Sequence, residues 1–125
     1  VNARVFITIG GCSYPGKASS PITEEQMWDG YPQIDSAPFS VAKKTAITAA
    51  DAYRDQYGLD TKVLIPGNMY GPHDNFRSAE SHVVPALIRK FIDAKENNYP
   101  SITCFGDGTP TREFLYADDL ADACL

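Results

Sequence analysis

Two short runs of strand-forming residues enclose one long helical pattern, and that order restricts the fold more than any other feature of the chain. Val5-Phe6-Ile7-Thr8-Ile9 is β-branched and aromatic and stops at Gly10-Gly11, as a buried strand does when it feeds a loop. Thr61-Lys62-Val63-Leu64-Ile65 is a second such run, closed by Pro66-Gly67. Between them, Ser36 and Pro38 open a helix expected over residues 38–57, which Gly58 ends. Strand, helix and strand in this order imply a right-handed parallel crossover. The chain is therefore expected to build an α/β layered fold.

Along the helix, Val41, Ala42, Ala46, Ala49, Ala50 and Tyr53 recur at helical spacing and read as the apolar stripe. Lys43, Lys44, Asp51, Arg54 and Asp55 take much of the remaining surface. Residues 12–38 are rich in Pro and Gly and read as loop, with Thr23-Glu24-Glu25-Gln26 suited to cap one helical turn. Residues 67–82 read as a long polar loop, a length uncommon unless the loop is functional or disordered. A second helix is expected over 83–94, a strand over 102–105, a short extended segment over 113–116, and a last helix opening at Asp118. No internal repeat or low-complexity segment interrupts this order.

With 125 residues the chain is bounded to one domain, and an apolar share of 43% suffices for a packed interior. A formal net charge of −5 argues against nucleic acid, whose phosphates demand a basic surface, and argues more weakly against anionic membranes. No apolar run approaches the roughly 20 residues of a membrane-spanning helix. The first residues lack the apolar core and cleavage site of a signal peptide and start directly as a strand. That start suits a fragment or truncated gene as well as a complete protein. Cys12, Cys104 and Cys124 form no C-x-x-C pair and no disulfide framework, so a reducing cytoplasm is the simplest home. With only His73 and His82 beside them, no zinc site is expected.

In parallel α/β sheets, ligands lie beyond the carboxyl ends of strands. The loops 10–15, 66–82 and 106–112 each follow an expected strand and are candidate walls of one site. Strand ends carry Gly and Pro for turning alone, so this placement points only weakly. The wording of these loops carries more. "CSYPGKASSPITEE", "PFSVAKKTA", "PGNMYGPHDNF", "SHVVPALIRKF" and "FGDGTPTREFLYADDLA" run in the order and spacing of the C-terminal part of GDP-L-fucose synthases. The chain resembles that family of extended short-chain dehydrogenase/reductases over about residues 5–125. Asn68-x-Tyr70-Gly71-Pro72 marks the wider sugar-nucleotide epimerase/dehydratase superfamily. His73-Asp74-Asn75-Phe76 and Ser81-His82-Val83-x-Pro85-Ala86-Leu87 narrow the likeness to the synthases.

The resemblance implies a truncated Rossmann-like parallel sheet with flanking helices, lacking the N-terminal dinucleotide-binding βαβ units. Residues 1–125 would then be a single partial domain that includes part of the substrate-binding region. The family uses NADPH to epimerise GDP-4-keto-6-deoxy-mannose at carbons 3 and 5 and to reduce it at carbon 4. A tyrosine must protonate or polarise the ketone oxygen, a lysine must lower that tyrosine's pKa, and a serine or threonine must add a second hydrogen bond.

Lys43 matches the family lysine, and also carries the cofactor ribose there. The tyrosine position is Phe39, one turn away on the same face; the serine position is Gly10. Neither has a hydroxyl. Cys12 and His82 match the family's epimerising cysteine and histidine, groups suited to moving protons near neutral pH. Taken as bare residues, Cys12 reads as a small buried strand-end residue, His82 equally as a helix-entry residue and Lys43 as a solvated lysine. Asn68 and His73 belong to the loop that shapes the nicotinamide and sugar pocket. Lys90 stands where the family has an arginine, keeping charge but losing the bidentate fork. Arg112 matches the arginine on the GDP phosphates, with a surface ion pair to Glu113 or Asp118 as the plain alternative. No G-x-G-x-x-G opens a helix anywhere in the sequence.

These matches and gaps imply a relative without reductase activity by itself, in which NADP is not bound by this chain alone. A non-catalytic GDP-sugar-binding module or partner subunit is the alternative, then residual cofactor-independent epimerisation, then a gene fragment with no property but its fold. The sheet edge left without neighbours is expected to drive homo-oligomerisation or association with another chain.

Overall fold

The structure, a computed structural model, describes residues 5–9, 14–16, 18, 21–77 and 80–125. The chain divides into two compact units, Val1–Pro66 and Gly67–Leu125. In the first, β1 (Val5–Ile9) and β2 (Asp60–Leu64) pair in parallel, in register from Val5 against Asp60 to Ile9 against Leu64. The connection between them carries α1 (Ala37–Tyr57), which packs on both strands. Pro38 sits in its first turn, where a missing N–H costs nothing. At the other end Gly58 adopts φ 66°, and its N–H bonds the Arg54 carbonyl at 2.9 Å. That left-handed cap is open to glycine without strain.

The stripe expected on α1 is displaced. Of the six residues read as its apolar face only Ala50 is buried; Val41 and Tyr53 are exposed. The buried positions are Ala37, Ser40, Ile47 and Ala50. Alanines lie on several sides of the helix, so hydropathy alone does not choose between faces. Ser40 marks the inward face: its side chain is fully buried, and its hydroxyl donates to the Ser36 hydroxyl at 3.4 Å.

Ahead of α1, a 3-10 turn over Glu24–Trp28 follows Thr23, whose backbone N–H donates to Gln26 Oε1 at 2.8 Å. The turn buries Met27, which is only 2% exposed. A second 3-10 turn, Ile34–Ser36, runs directly into α1. Pro15 and Pro32 form an isolated antiparallel bridge across this loop.

The second unit contains β3 (Asn68–Tyr70), α2 (Val83–Glu96), β4 (Phe114–Tyr116) and α3 (Ala117–Ala123). Residues 67–82 were expected to be loop throughout, but the first of them form β3, paired in parallel with β4. The pairing partner lies more than forty positions on, beyond what local pattern can reveal. Conversely, residues 102–105 form no strand. Among the described residues no strand lies alongside to complete a ladder, and backbone groups need one. α3 starts at Ala117, so Asp118 and Asp119 lie in its first turn, where the helix dipole favours them. Pro85, Ala94 and Leu120 are buried here.

Both sheets are short and parallel and carry flanking helices, the α/β class expected. Among the described residues no helix is long and apolar enough to cross a membrane.

Candidate functional site

Burial of Ala37 and Ser40 fixes the rotation of α1 and leaves positions 39 and 43 on one outward side. The Phe39 ring is 54% exposed, and the half-buried Lys43 places its ammonium 5.4 Å from the ring centroid. No hydrogen-bond acceptor for that ammonium is found among the described residues. Lys44 behaves differently: it donates to the Gly30 carbonyl at 3.1 Å and lies 5.5 Å from the Trp28 centroid. Lys44 therefore ties the preceding loop to the helix, while the Lys43 donors meet no acceptor among the described residues. Cys12 and Gly10, assigned to epimerisation and to the missing serine, lie outside the described residues. The described part of their loop resumes at Tyr14, whose phenol is pushed up by burial and then by Glu24 and Glu25.

In the second unit, Asn68 is held at the start of β3 by two donations to one acceptor. Its backbone N–H and its Nδ2 each reach the Glu113 carbonyl at 3.2 Å. The side-chain carbonyl of Asn68 accepts no hydrogen bond among the described residues. At the other end of β3, a Cβ on Gly71 would stand 3.0 Å from the Ala117 Cβ, so the turn into the following loop passes close against α3. His73 follows with φ 67°, a left-handed conformation unusual for a residue with a side chain, and is exposed. The loop is then braced by Asn75, whose Oδ1 accepts from the Arg77 N–H at 3.0 Å. His82 is exposed and caps α2, its carbonyl accepting from the Ala86 N–H at 3.0 Å. Ser81 beside it buries a hydroxyl with no partner among the described residues.

Lys90 reaches from α2 to the Thr103 carbonyl at 2.7 Å, with its ammonium 4.7 Å from the Phe105 centroid. Among the described residues Arg112 donates to the neighbouring Thr111 carbonyl alone, at 2.7 Å, and is exposed. The ion pair to Glu113 or Asp118 is not formed among the described residues. In the glycine-rich loop before it, Asp107 accepts from the Thr109 N–H at 3.0 Å and hydroxyl at 2.7 Å. Those bonds hold its carboxyl below the usual range.

Two groups were not anticipated. Phe105 was read as a strand residue yet is 95% exposed against Lys90. Tyr116 ends β4 beside Tyr70, the rings 5.6 Å apart, and its phenol is pushed up chiefly by the Asp118 carboxylate. The signal for Tyr116 was its place at the carboxyl end of a parallel strand. Within the units, Phe39 meets Lys43, Asn68 meets the residue after Arg112, and Lys90 meets Phe105. The His73 and His82 rings enter no hydrogen bond or ion pair among the described residues.

The model of the NAD dependent epimerase/dehydratase family matches residues 1–125. GDP-L-fucose synthase from Escherichia coli (strain K12) is 41% identical over 125 residues, covering 100% of this chain and 39% of that protein. Probable GDP-L-fucose synthase 1 of Oryza sativa subsp. japonica is 45% identical, covering 99% of this chain and 38% of its own length. Among solved structures, a GDP-L-fucose synthetase from Naegleria fowleri bound to NADP superposes with a TM-score of 0.86 at 32% identity. That match covers 97% of this chain and 40% of the other, and identifies the fold as a partial Rossmann-like one. The chain spans about two fifths of the length of these relatives.

Proposed function

The chain belongs to the NAD dependent epimerase/dehydratase family, and from that premise we propose that it is a relative of GDP-L-fucose synthases that does not reduce a keto sugar by itself. Residues 1–125 correspond in this reading to the C-terminal portion of such an enzyme, as one partial domain. The contact between Lys43 and Phe39 carries the proposal. A lysine at this position acts by lowering the pKa of a phenol and holding its proton near the ketone. Here its ammonium faces a ring that can neither donate nor accept a hydrogen bond. Purified chain, NADPH and GDP-4-keto-6-deoxy-mannose are expected to give no turnover; NADPH-dependent loss of the ketone would overturn the reading.

The residues present fit one end of NADP only. Lys43, for whose ammonium no acceptor is found among the described residues, is read as suited to ribose hydroxyls; Asn68, in the other unit, is read separately as suited to a carboxamide. When bound, the cofactor would supply a hydride. No G-x-G-x-x-G, the motif whose backbone N–H groups would hold its pyrophosphate, opens a helix in this sequence. The chain alone is therefore read as not holding NADP.

A second reading, binding of a GDP-sugar without reduction, is favoured by Arg112. Its guanidinium is exposed, makes no ion pair among the described residues and follows a glycine-rich loop, an arrangement suited to a diphosphate. Asn68, His73 and Lys90 join it as candidate ligand contacts. Cys12 and His82 are assigned to residual proton exchange at carbons 3 and 5, which consumes no hydride. Calorimetry with GDP and GDP-mannose tests binding; deuterium incorporation from heavy water, against Cys12→Ala, tests exchange. Among the described residues each sheet has two strands, and two parallel strands are too few for an independent sheet. Association through those edges, with another copy or another chain, and a cytoplasmic location complete the proposal.

A further inference from the structure

Asp-Gly occurs twice in the chain, as Asp29-Gly30 and as Asp107-Gly108. A glycine nitrogen has no side chain beside it to block its approach to the preceding carboxyl. By sequence the two pairs are equivalent, and neither glycine N–H meets an acceptor among the described residues. The fold treats them differently. Asp29 closes the first 3-10 turn, its N–H bonded to the Gln26 carbonyl at 3.2 Å. The Gly30 carbonyl accepts from Lys44 at 3.1 Å, and a Cβ at Gly30 would lie 3.4 Å from Pro15 Cγ. The peptide that joins this pair is held at both ends and packed on one side. Asp107 and Gly108 lie instead in a wholly exposed run. Gly106 and Gly108 take φ 80° and 83°, and a Cβ on either would meet nothing within 4 Å. Asp107 Oδ1 accepts from the Thr109 N–H at 3.0 Å and from its hydroxyl at 2.7 Å. A bond from a side-chain oxygen to the N–H two residues on closes a ring that runs through Cγ and the intervening nitrogen. The Asp107 carboxyl is thereby folded back along the Gly108 nitrogen, on a backbone that nothing packs against.

We propose that Asp107-Gly108 is a self-modification site, where the chain isomerises to isoaspartate, and that the Lys44 clamp spares the identical pair Asp29-Gly30. The Gly108 nitrogen attacks Asp107 Cγ. A C–N bond forms as a C–O bond breaks, and the oxygen leaves as water with the nitrogen's proton and the carboxyl's own. Water then reopens the cyclic imide. Opening at the former main-chain carbonyl routes the chain through Cγ and leaves an α-carboxylate as the side group. No atom is gained or lost overall, and no reactant besides water is consumed.

The full chain is aged in warm neutral buffer and digested, and each Asp-Gly peptide is scored by mass spectrometry and by an isoaspartyl methyltransferase, which methylates the new α-carboxylate. Isoaspartate is expected to accumulate about two- to tenfold faster at Asp107 than at Asp29, the factor that one clamping hydrogen bond of roughly 0.5–1.5 kcal/mol supplies. Asp107→Glu keeps a carboxylate but forms its cyclic imide far more slowly, so the signal from that peptide should be lost. Lys44→Met should raise isoaspartate at Asp29 by a similar factor and leave Asp107 unchanged. In urea the two rates should converge. Equal or faster reaction at Asp29 in the folded chain, or none at either site, overturns the proposal. A lead for Asp107 that persists in urea also overturns it, because flanking residues and not the fold would then set the rate. An unmoved Asp29 rate in Lys44→Met overturns the clamp.

Discussion

The ammonium of Lys43 lies 5.4 Å from the centroid of the Phe39 ring, one turn behind it on α1. The contact explains how the lysine keeps its place without a phenol: the ring face attracts the cation that a hydroxyl would otherwise meet. A single hydroxyl restored at this position should therefore be tolerated and yet be insufficient. Phe39→Tyr is expected to leave the unfolding midpoint nearly unchanged and to give no NADPH consumption with the keto sugar, because position 10 also lacks a hydroxyl. Measurable reduction by that variant would show that the tyrosine alone was missing. Phe39→Ala should cost about 0.5–1 kcal/mol, the worth of a cation–π contact at an exposed site.

A buried hydroxyl gives a prediction of opposite sign. Thr61 is 6% exposed on β2, and its Oγ1 has no partner among the described residues. Its register partner is Phe6, and Thr8 lies on the same face two residues along β1. A buried donor left unsatisfied costs about 1–3 kcal/mol. Thr61→Val keeps the shape and removes that cost, so it should stabilise the chain by about 1 kcal/mol in urea unfolding. A loss of stability would show that the hydroxyl is satisfied in solution, by water or by movement of its neighbours.

Much of this architecture could be read from the sequence, for reasons visible at particular residues. Gly58, the Pro38 opening and the β-branched runs on either side act locally, so β1, α1 and β2 were legible. β3 was not, because Asn68-Met69-Tyr70 is a strand only by pairing with Phe114-Leu115-Tyr116, far along the chain. The run at 102–105 failed in the reverse sense, having the right residues and no neighbour. Lys43, Lys90 and Arg112 were expected as site residues through family likeness. Type could not show that the Thr103 carbonyl accepts from Lys90 while Arg112 has no ion partner among the described residues; that difference lives in tertiary geometry.

Close approach tests the loop that carries His73. A Cβ at Gly71 would lie 3.0 Å from the Ala117 Cβ and 3.7 Å from Tyr116 Cε2. The Ala117 Cβ sits where β4 turns into α3 and cannot withdraw without moving backbone. Gly71→Ala is expected to destabilise by about 1–3 kcal/mol, the usual range for overpacking. Hydrogen exchange should quicken at β3 and β4 before it does at β1 and β2. An unchanged exchange pattern would mean that the turn relaxes freely.

The loop before Arg112 should respond to acid through Asp107. Its carboxylate accepts from the Thr109 N–H and hydroxyl, and these bonds lower its pKa. A carboxyl with a folded pKa below its unfolded value contributes order that is present above the unfolded pKa and is lost as pH falls through the folded one. The Thr109 amide is therefore expected to keep its shift down to a pH below the ordinary aspartate range and then to titrate. Asp107→Asn should remove that titration, because its side-chain carbonyl accepts the N–H at every pH. If Arg112 depends on this loop for its position, GDP affinity should fall over the same acidic interval in the parent chain and not in the variant. A fall shared equally by both would place the cause elsewhere.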